Sequence, residues 1–425
     1  MESIVLFASF FILLIMMVPI GYAIGIATLI AILVCGDGSI PLLMISQKAI
    51  TGCDSFPLMA VPFFMLAGNL MSGGGIAKRI LNFFDTFMGF ITGGLSMVTT
   101  ITCMFFAAIS GSAIATTSAV GSFMIPAMKD KGYHEGYSAA ICAAAGTIGV
   151  IIPPSVPFVI YGVATGTSIT DLFKAGVVPG IAMGVALMIA CYILSKKYGF
   201  KGERKKFSFK AIWVSFVDAI WALLSPVIIL GGIYSGWFTP TEAAVISVVY
   251  SYIVGRFVYK ELDAKAAYKA LRDTVIVNGA TTFMVGLSSA FAAYLSLTGI
   301  PRTLAAAMLG ITDNKILLFV LINLFLLIVG CLVDNIPATI ILAPILLPVV
   351  TALGMSPVTF GIMLTMNLAI GFCTPPYGID LFVASAISGV SIGKMMKYMI
   401  WFLFALLVVL MLVTYWPAFT LFAFA

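Results

Sequence analysis

Two apolar stretches of this sequence are interrupted by a Pro-Pro pair: GTIGVIIPPSVPFVIYG at residues 146–162 and GFCTPPYGIDLFV at residues 371–383. Proline lacks a backbone N–H and clashes with the preceding helical turn, so each pair predicts a helix break that leaves carbonyl groups without helical partners. In a hydrocarbon environment such groups persist only where they are buried or line a wet cavity. The two stretches therefore predict two broken transmembrane helices.

The two proline pairs belong to an internal repeat. The second pair follows the first by 222 residues, and the same interval separates Gly371 from Gly149 and Pro348 from Pro126. Self-similarity at a fixed interval indicates two copies of one structural unit. The predicted organisation is a first unit at residues 1–195, a basic cytoplasmic linker at residues 196–210 and a second unit at residues 211–425.

The composition requires lipid as the solvent for most of the chain. Hydrophobic residues make up 62% of the 425 residues and charged residues only 9%, whereas an ordinary soluble domain carries about 25% charged residues. The length leaves room for roughly ten spans of about 20 residues. Cysteines number seven and no Cys-x-x-Cys occurs, which argues against a disulfide framework or a zinc site.

The apolar segments predict the topology. Two of them, 95–128 and 315–350, are long enough to enter and leave on the same side as re-entrant hairpins, which leaves five crossings in each unit. An odd number of crossings inverts the second unit relative to the first, an arrangement common among secondary transporters. The sequence therefore predicts an all-α integral membrane protein, an inverted-repeat secondary transporter with two re-entrant helical hairpins and two broken transmembrane helices. The predicted crossings are 3–17, 20–35, 55–71, 137–165, 172–195, 212–234, 241–258, 275–297, 358–388 and 392–424.

Basic residues set the orientation of this topology. With the N-terminus outside, 18 of the 22 lysines and arginines fall on the inside, as the positive-inside rule requires. The formal net charge of +6 is therefore a topology signal, and no nucleic-acid partner is expected. Glu2 stands where a signal peptide would be basic, so we expect no cleaved signal peptide. An amphipathic segment at Ile76–Phe90 is either an ordinary connector or an arm that links a moving domain to a static one.

Helix breaks are predicted at four places at membrane depth: residues 110–112 and 334–337 in the hairpins, and residues 149–155 and 371–378 in the broken helices. Helix N-termini at these breaks offer free N–H groups and a positive dipole, which suit a substrate carboxylate. Helix C-termini offer free carbonyl groups, which suit Na⁺. One break alone is often a kink in a packed helix, but four breaks in two related pairs favour a binding site. The candidate substrate-binding residues are Thr116, Thr117, Ser155, Thr339, Tyr377 and Asp380.

Two acidic residues fall at predicted membrane depth, where an unpaired charge is costly. Asp334 is a candidate helix N-cap, cation ligand or proton carrier. Asp380 could close a helix-end hydrogen bond or face the solute path. His134 lies in a short polar loop, where a solvated histidine is the ordinary interpretation. The sequence contains no Walker A motif and no catalytic constellation, so we expect neither ATP drive nor an enzyme.

Four sequence motifs resemble the large membrane subunit of TRAP transporters, the tripartite ATP-independent periplasmic transporters. They are SGSAIATTSAVGSFMIPAM (110–128) followed by the first Pro-Pro stretch, and DNIPATIILAPILLPV (334–349) followed by the second. The likeness runs essentially end to end and includes VPIGYAIGIA at 18–27. It implies a secondary transporter of a bacterial or archaeal inner membrane, driven by a Na⁺ gradient and working as an elevator. It also implies a separate small membrane subunit of about four helices and a periplasmic binding protein that delivers a small carboxylate, such as a C4-dicarboxylate or a sialic acid.

The resemblance also implies two Na⁺ sites. The first would pair the Ser110–Ser112 tip with Gly149–Pro153, and the second would pair Asp334–Pro337 with Gly371–Pro375. The candidate Na⁺ ligands are Ser110, Ser112, Gly149, Pro153, Asp334, Asn335, Gly371 and Thr374.

Other functions remain open at this point. The main alternative is a stand-alone Na⁺/dicarboxylate symporter of the related divalent-anion family, which shares inverted repeats and twin hairpins. A channel is a second alternative, and a membrane-embedded enzyme is the weakest. Protons in place of Na⁺ would give Asp334 or Asp380 a different role.

Overall fold

The computed structural model describes residues 2–35, 40–200, 209–301, 303, 306, 310, 314–376 and 378–421. Every regular element in these ranges is helical. Residues 201–208 of the predicted linker, and the candidate site residue Tyr377, lie outside the described residues.

The first unit contains ten helices among its described residues. A 3₁₀ turn at Phe56–Met59 precedes α4, and another at Thr147–Val150 follows α8. The helices are α1 Glu2–Ile15, α2 Ile20–Cys35, α3 Leu43–Cys53, α4 Ala60–Gly73, α5 Ile76–Met88, α6 Gly94–Ser110, α7 Ala113–Asp130, α8 Glu135–Gly146, α9 Val156–Thr165 and α10 Ile169–Tyr198.

The second unit repeats this order. A π-helical turn at Val254–Val258 follows α12. The helices are α11 Phe209–Tyr234, α12 Pro240–Ile253, α13 Ala264–Thr298, α14 Lys315–Gly330, α15 Asn335–Ala352, α16 Pro357–Gly371, α17 Ile379–Ser388, α18 Ile392–Tyr415 and a final turn α19 Ala418–Leu421.

Both predicted hairpins and both predicted broken helices are present. Hairpin 1 is α6 and α7, hairpin 2 is α14 and α15, and the broken helices are α8–α9 and α16–α17. Within the described ranges, seven helical segments are long and apolar enough to cross a membrane alone, and the arms and halves of the interrupted elements are mostly shorter apolar helices. The predicted fold class is confirmed.

Some helix boundaries differ from the predicted ones. Residues 43–53, which lie between two predicted crossings, form α3, and α13 starts eleven residues before the predicted crossing at 275. The last predicted crossing, 392–424, ends at Tyr415, because Pro417 has no N–H to continue the helix. Helix α10 extends to Tyr198, three residues past the predicted boundary of the first unit. That boundary stays a prediction.

The first halves of the two broken helices lie at the centre of the molecule. Every residue of α8 from Gly136 to Gly146 is buried, and so is every residue of α16 from Thr359 to Gly371. Helix α8 consists largely of alanine and glycine, whose small side chains let neighbouring backbones approach closely in a membrane. The hairpin helices α6 and α7 pack on α8, while α14 and α15 pack on α16.

The two units interlock around this centre. The second half of each broken helix packs on the hairpin of the other unit: α9 on α15, and α17 on α7. Helices α10 and α18 pack on each other beside them. A second group, α1 to α4 with α12 and α13, packs mainly within itself and exposes many large apolar side chains, as expected for a lipid-facing surface.

Candidate functional site

The tip of hairpin 1 is held by hydroxyl groups. Helix α6 ends at Ser110, Gly111 adopts the left-handed conformation at φ +62°, and Ser112 caps α7 by accepting a hydrogen bond from Ala115 N–H. Thr116 Oγ1 donates to the Ser112 carbonyl at 2.8 Å and lies 3.1 Å from Ser110 Oγ. A carbonyl and two hydroxyl groups therefore converge at the tip.

Gly149 in the first broken helix lies directly against this tip. A Cβ at Gly149 would lie 2.6 Å from the Ser112 carbonyl oxygen and 2.7 Å from Thr116 Oγ1. Only a glycine fits this position without displacing the tip, because both distances are far below ordinary contact. The sequence-predicted partners Ser110, Ser112 and Gly149 are therefore brought together.

The first Pro-Pro break is joined to the same tip. Val156 N–H, in the first turn of α9, donates to the Gly111 carbonyl at 3.3 Å. Ser155 Oγ donates to the Val150 carbonyl at 2.6 Å, so this hydroxyl satisfies a group that the break leaves free. Pro153 is buried within the break. We call the tip of hairpin 1 together with residues 149–156 the first junction.

At hairpin 2, Asp334 is the N-cap of α15, and its Oδ1 accepts from Asn335 N–H at 2.6 Å. This confirms the first of the three roles predicted for Asp334. Asn335 Oδ1 accepts from Thr339 Oγ1 at 2.9 Å, while its buried Nδ2 has no hydrogen-bond partner among the described residues. An unsatisfied buried amide can still donate a hydrogen bond to a further group.

Gly371 meets hairpin 2 ahead of the predicted tip. A Cβ at Gly371 would lie 2.1 Å from the Gly330 carbonyl carbon and 2.2 Å from its oxygen. The Thr374 hydroxyl donates to the Ile370 carbonyl at 2.9 Å and faces the Cys331 thiol. We call residues 330–335 together with 370–376 the second junction.

The two junctions differ in exposure. Pro153, Ser155 and Gly149 are buried, whereas Pro375 and Pro376 are exposed and Thr374 is half-buried. Most of the first junction is therefore covered by protein, with Ser112 half-buried, whereas two prolines of the second junction are exposed.

Asp380 and Thr117 lie behind the tips. Asp380 is fully buried in α17, and the Thr117 hydroxyl on α7 faces its carboxylate. Neither carboxylate oxygen, nor Thr117 Oγ1, has a hydrogen-bond partner of normal geometry within the described part of the chain. Gly146 has no room for a side chain, because a Cβ there would overlap Thr117 Oγ1. The carboxylate of Asp380 therefore makes no helix-end hydrogen bond to any described residue, whereas the backbone N–H of Asp380 donates to the Phe372 carbonyl at 3.1 Å.

Both junctions offer oxygen ligands without the side chains of a transition-metal site. Within the ranges that the structure describes, no group of three histidine, cysteine or acidic residues lies together. Carbonyl and hydroxyl oxygens at interrupted helix ends are the ligands that transporters use for Na⁺.

The sequence did not identify Gly330 or Cys331 as contact residues. The only signal for Gly330 was its position as a glycine four residues before Asp334. His134, predicted to be solvated, is exposed but its Nδ1 also lies 3.0 Å from the Tyr398 hydroxyl.

The family model and the similar proteins indicate the same family. Residues 7–419 match the family model described as tripartite ATP-independent periplasmic transporter, DctM component. The isethionate TRAP transporter permease protein DctMQ of Oleidesulfovibrio alaskensis is 45% identical over 98% of this chain, and the chain spans 66% of that relative. The sialic acid TRAP transporter large permease protein SiaM of Vibrio cholerae is 38% identical over 95% of this chain and 94% of the relative. The C4-dicarboxylate TRAP transporter large permease protein DctM of Rhodobacter capsulatus is 34% identical over 99% of this chain and 98% of the relative.

A solved structure shares the fold. The crystal structure of the Alcanivorax borkumensis YdaH transporter, described as having an unusual topology, aligns with a TM-score of 0.60 over 89% of each chain at 15% identity. The relatives are transporter permeases and not enzymes, in agreement with the sequence analysis. With a family model that covers nearly the whole chain and interrupted helices at its centre, this multi-pass membrane protein belongs to the DctM family of large TRAP transporter components.

Proposed function

We propose that the chain is the large permease subunit of a Na⁺-coupled TRAP transporter that imports a small carboxylate. A periplasmic binding protein delivers the cargo, and a separate small membrane subunit of about four helices completes the transporter. The chain lies in a bacterial inner membrane with its N-terminus in the periplasm, an orientation that the uneven distribution of lysine and arginine supports.

The close approach of Gly149 to the tip of hairpin 1 is the observation that carries this proposal. At that point the Ser112 carbonyl and the Thr116 hydroxyl lie beside an interrupted helix end. Oxygen atoms held rigidly and away from water suit a hard monovalent cation. In this proposal one Na⁺ binds at the first junction through Ser110, Ser112, Gly149 and Pro153. A second binds at the second junction through Asp334, Asn335, Gly371 and Thr374.

The cargo carboxylate binds between the junctions. The N-termini of α7, α9, α15 and α17 supply N–H groups and positive dipole ends for an anion. The Thr117 hydroxyl, which has no hydrogen-bond partner of normal geometry among the described residues, supplies a further donor. The hydroxyl groups of Thr116, Ser155 and Thr339 already donate within the chain, so they would donate to the cargo only after giving up those hydrogen bonds. Tyr377 remains a proposed contact. Asp380 remains a proposed contact only for a conformation that exposes it, because its side chain is fully buried here.

An elevator mechanism is supported by the packing of two groups of helices. The hairpins, the broken helices, α10 and α18 pack together around the junctions, while α1 to α4, α12 and α13 pack mainly with one another. Motion of the first group past the second would carry both junctions across the membrane without taking them apart.

The names of relatives bear on the cargo. Besides sialic acid and C4-dicarboxylate, relatives are named for 2,3-diketo-L-gulonate and isethionate. Isethionate is a sulfonate, so a screen must include sulfonates beside carboxylates. The family assignment disfavours the stand-alone symporter of the divalent-anion family.

The test is reconstitution in liposomes with both partners, followed by uptake of labelled carboxylates and sulfonates under a Na⁺ gradient or a choline gradient. We expect saturable uptake of one carboxylate that requires Na⁺ and the binding protein. Equal uptake in choline would refute Na⁺ coupling. Uptake without the binding protein and the small subunit would instead favour the stand-alone symporter.

A further inference from the structure

The guanidinium of Arg79, the fourth residue of α5, contacts four groups. Nη1 donates to Glu261 Oε1 at 2.7 Å and to the Gly75 carbonyl at 3.2 Å, and Nε donates to Asp218 Oδ1 at 3.4 Å. The guanidinium carbon also lies 3.8 Å from the centroid of the Tyr259 ring. One side chain thus connects α5 with α11 and with the segment between α12 and α13.

Tyr259 is itself fixed to α11. Its hydroxyl accepts a hydrogen bond from Ala222 N–H at 3.0 Å and donates to the Asp218 carbonyl at 3.1 Å. These are the two groups that a regular helical turn would pair directly, so the phenol is inserted into the backbone ladder of α11. The ring is therefore held in one place and presents a face to Arg79.

The corner before α5 lies directly on the same segment. A Cβ at Gly74 would lie 3.0 Å from Gly255 Cα, and Gly255 is part of the π-helical turn after α12. The Gly255 carbonyl accepts from the backbone N–H groups of Glu261 and Leu262, both at 3.1 Å. This turn places Glu261 above Gly75, where a Cβ would overlap the Glu261 carboxylate. Backbone contact and charge pairing thus act at the same end of α5.

The opposite end of α5 is built differently. It joins hairpin 1 through Gly89, Gly93 and Gly94, and Gly93 adopts φ +73°. Glycine accommodates backbone rotation at less cost than any other residue. The segment between arm and hairpin therefore contains three residues whose own backbone can rotate at low cost.

We propose that Arg79 is a positioning residue that anchors the first turns of α5 to α11 and to the α12–α13 turn. Helix α5 is then a fixed arm, and hairpin 1 pivots about residues 89–94. This inference rests on the elevator mechanism proposed above. A guanidinium suits the role because its planar fork binds two carboxylates while its face stacks on an aromatic ring, which an ammonium cannot do. Asp218 and Glu261 are partly exposed, with 55% and 42% of their side chains accessible, so neither pair would suffice alone.

The variants are Arg79→Ala, Arg79→Lys and the charge exchange Arg79→Glu with Glu261→Arg. Lys78→Ala is the matched control, because Lys78 is an exposed residue of the same helix and carries the same charge. Each variant is purified with its partner subunit. Two readouts are compared: backbone hydrogen exchange of residues 76–88 in detergent, and Na⁺-driven uptake in liposomes with the binding protein.

We expect Arg79→Ala to speed exchange in the first turns of α5 and to lower the maximal uptake rate by about tenfold, the order of effect for a partly buried charge and its ring contact. The KM for cargo and the half-saturating Na⁺ concentration should stay within about twofold, because the anchor lies outside both junctions. The maximal uptake rate of Arg79→Lys should fall between those of Arg79→Ala and the wild type. The charge exchange should recover part of the rate lost in Arg79→Ala, and Lys78→Ala should match the wild type.

Three results would overturn the anchor. They are unchanged hydrogen exchange in Arg79→Ala, faster exchange with an unchanged uptake rate, and a raised KM at an unchanged maximal rate. If Arg79→Ala does not fold, Glu261→Gln is measured in its place, and wild-type behaviour of that variant in both readouts also overturns the proposal. Absence of Na⁺-driven uptake by the wild type would instead refute the proposed function, while the exchange experiment would still report on the contact.

Discussion

Replacing Gly371 by alanine tests the second junction most directly. The added Cβ would lie 2.1 Å from the Gly330 carbonyl carbon and 2.2 Å from its oxygen. Ordinary contact between such atoms is about 3.5 Å. Hairpin 2 must therefore withdraw from α16 by roughly 1 Å, because both contacts are backbone atoms that cannot rotate away.

The free-energy cost of this displacement can be estimated. Overpacking of a buried contact costs about 1–3 kcal/mol, and the same energy lost from ion binding corresponds to roughly 5- to 150-fold weaker affinity. We expect Gly371→Ala to raise the half-saturating Na⁺ concentration within that range. The assay is initial-rate uptake in liposomes at varied Na⁺, together with thermal unfolding of the purified protein.

Gly279→Ala is the matched control. Gly279 is an exposed residue of α13, and a Cβ there has no neighbour within 4 Å. It should leave Na⁺ dependence unchanged and raise helix stability by up to about 1 kcal/mol. A Gly371→Ala protein with wild-type Na⁺ dependence and wild-type rate would refute the assignment of residues 370–376 to an ion site. If Gly371→Ala does not fold, Gly371→Ser would carry the same Cβ and is no substitute, so Thr374→Val is measured in its place.

Three further changes probe the remaining site residues. Ser112→Trp should abolish uptake while membrane insertion and yield are retained, because the tip lies against Gly149; normal uptake would argue against a site there. Cys331, half-buried beside Thr374, should react with a membrane-permeant maleimide more slowly in Na⁺ than in choline, and an identical rate in both salts would contradict ion binding at the second junction. Asp380→Asn should fold and transport better than Asp380→Ala, because the amide fills the same buried space without an unpaired charge; equal loss in both variants would show that the carboxylate itself is required.

The main elements of this fold could be predicted from local features of the sequence. Long apolar runs and Pro-Pro pairs determine the backbone structure of the same residues. The hairpins and broken helices could therefore be predicted from residues 95–128, 146–162 and their repeats. The odd number of crossings and the distribution of basic residues then gave the inverted arrangement.

Helix α3 was missed because its residues look like a polar loop. Gln47 and Lys48 interrupt the apolar pattern, and the helix is stabilised by packing on α13. Gly52 lies against Ser289, and Gly286 lies against the Ala49 carbonyl. Such tertiary contacts override local propensity and leave no periodic signal in the sequence.

The sequence predicted where the helices of the candidate site are interrupted, but it did not predict all the residue contacts between those interruptions. Glycine next to a Pro-Pro pair pointed to Gly149 and Gly371, yet their partners depend on how far each hairpin reaches. Repeat symmetry suggested equivalent tips, whereas Gly371 meets Gly330 in the first arm of hairpin 2, and Gly149 meets Ser112 in the tip itself. Arg79 was counted only as a topology signal, because its partners Asp218 and Glu261 are more than a hundred residues away in the chain.

The unequal covering of the two junctions has a consequence for the order of events in a transport cycle. At the first junction Gly149 and Pro153 are buried and Ser112 is half-buried, so an ion there would exchange with bulk solution mainly through a rearrangement of the surrounding helices. An ion at the second junction lies beside the exposed Pro375 and Pro376, so its exchange with bulk solution would need a much smaller rearrangement. In this conformation radioactive sodium should leave the protein in two kinetic phases, and the slow phase would report how often the molecule changes shape.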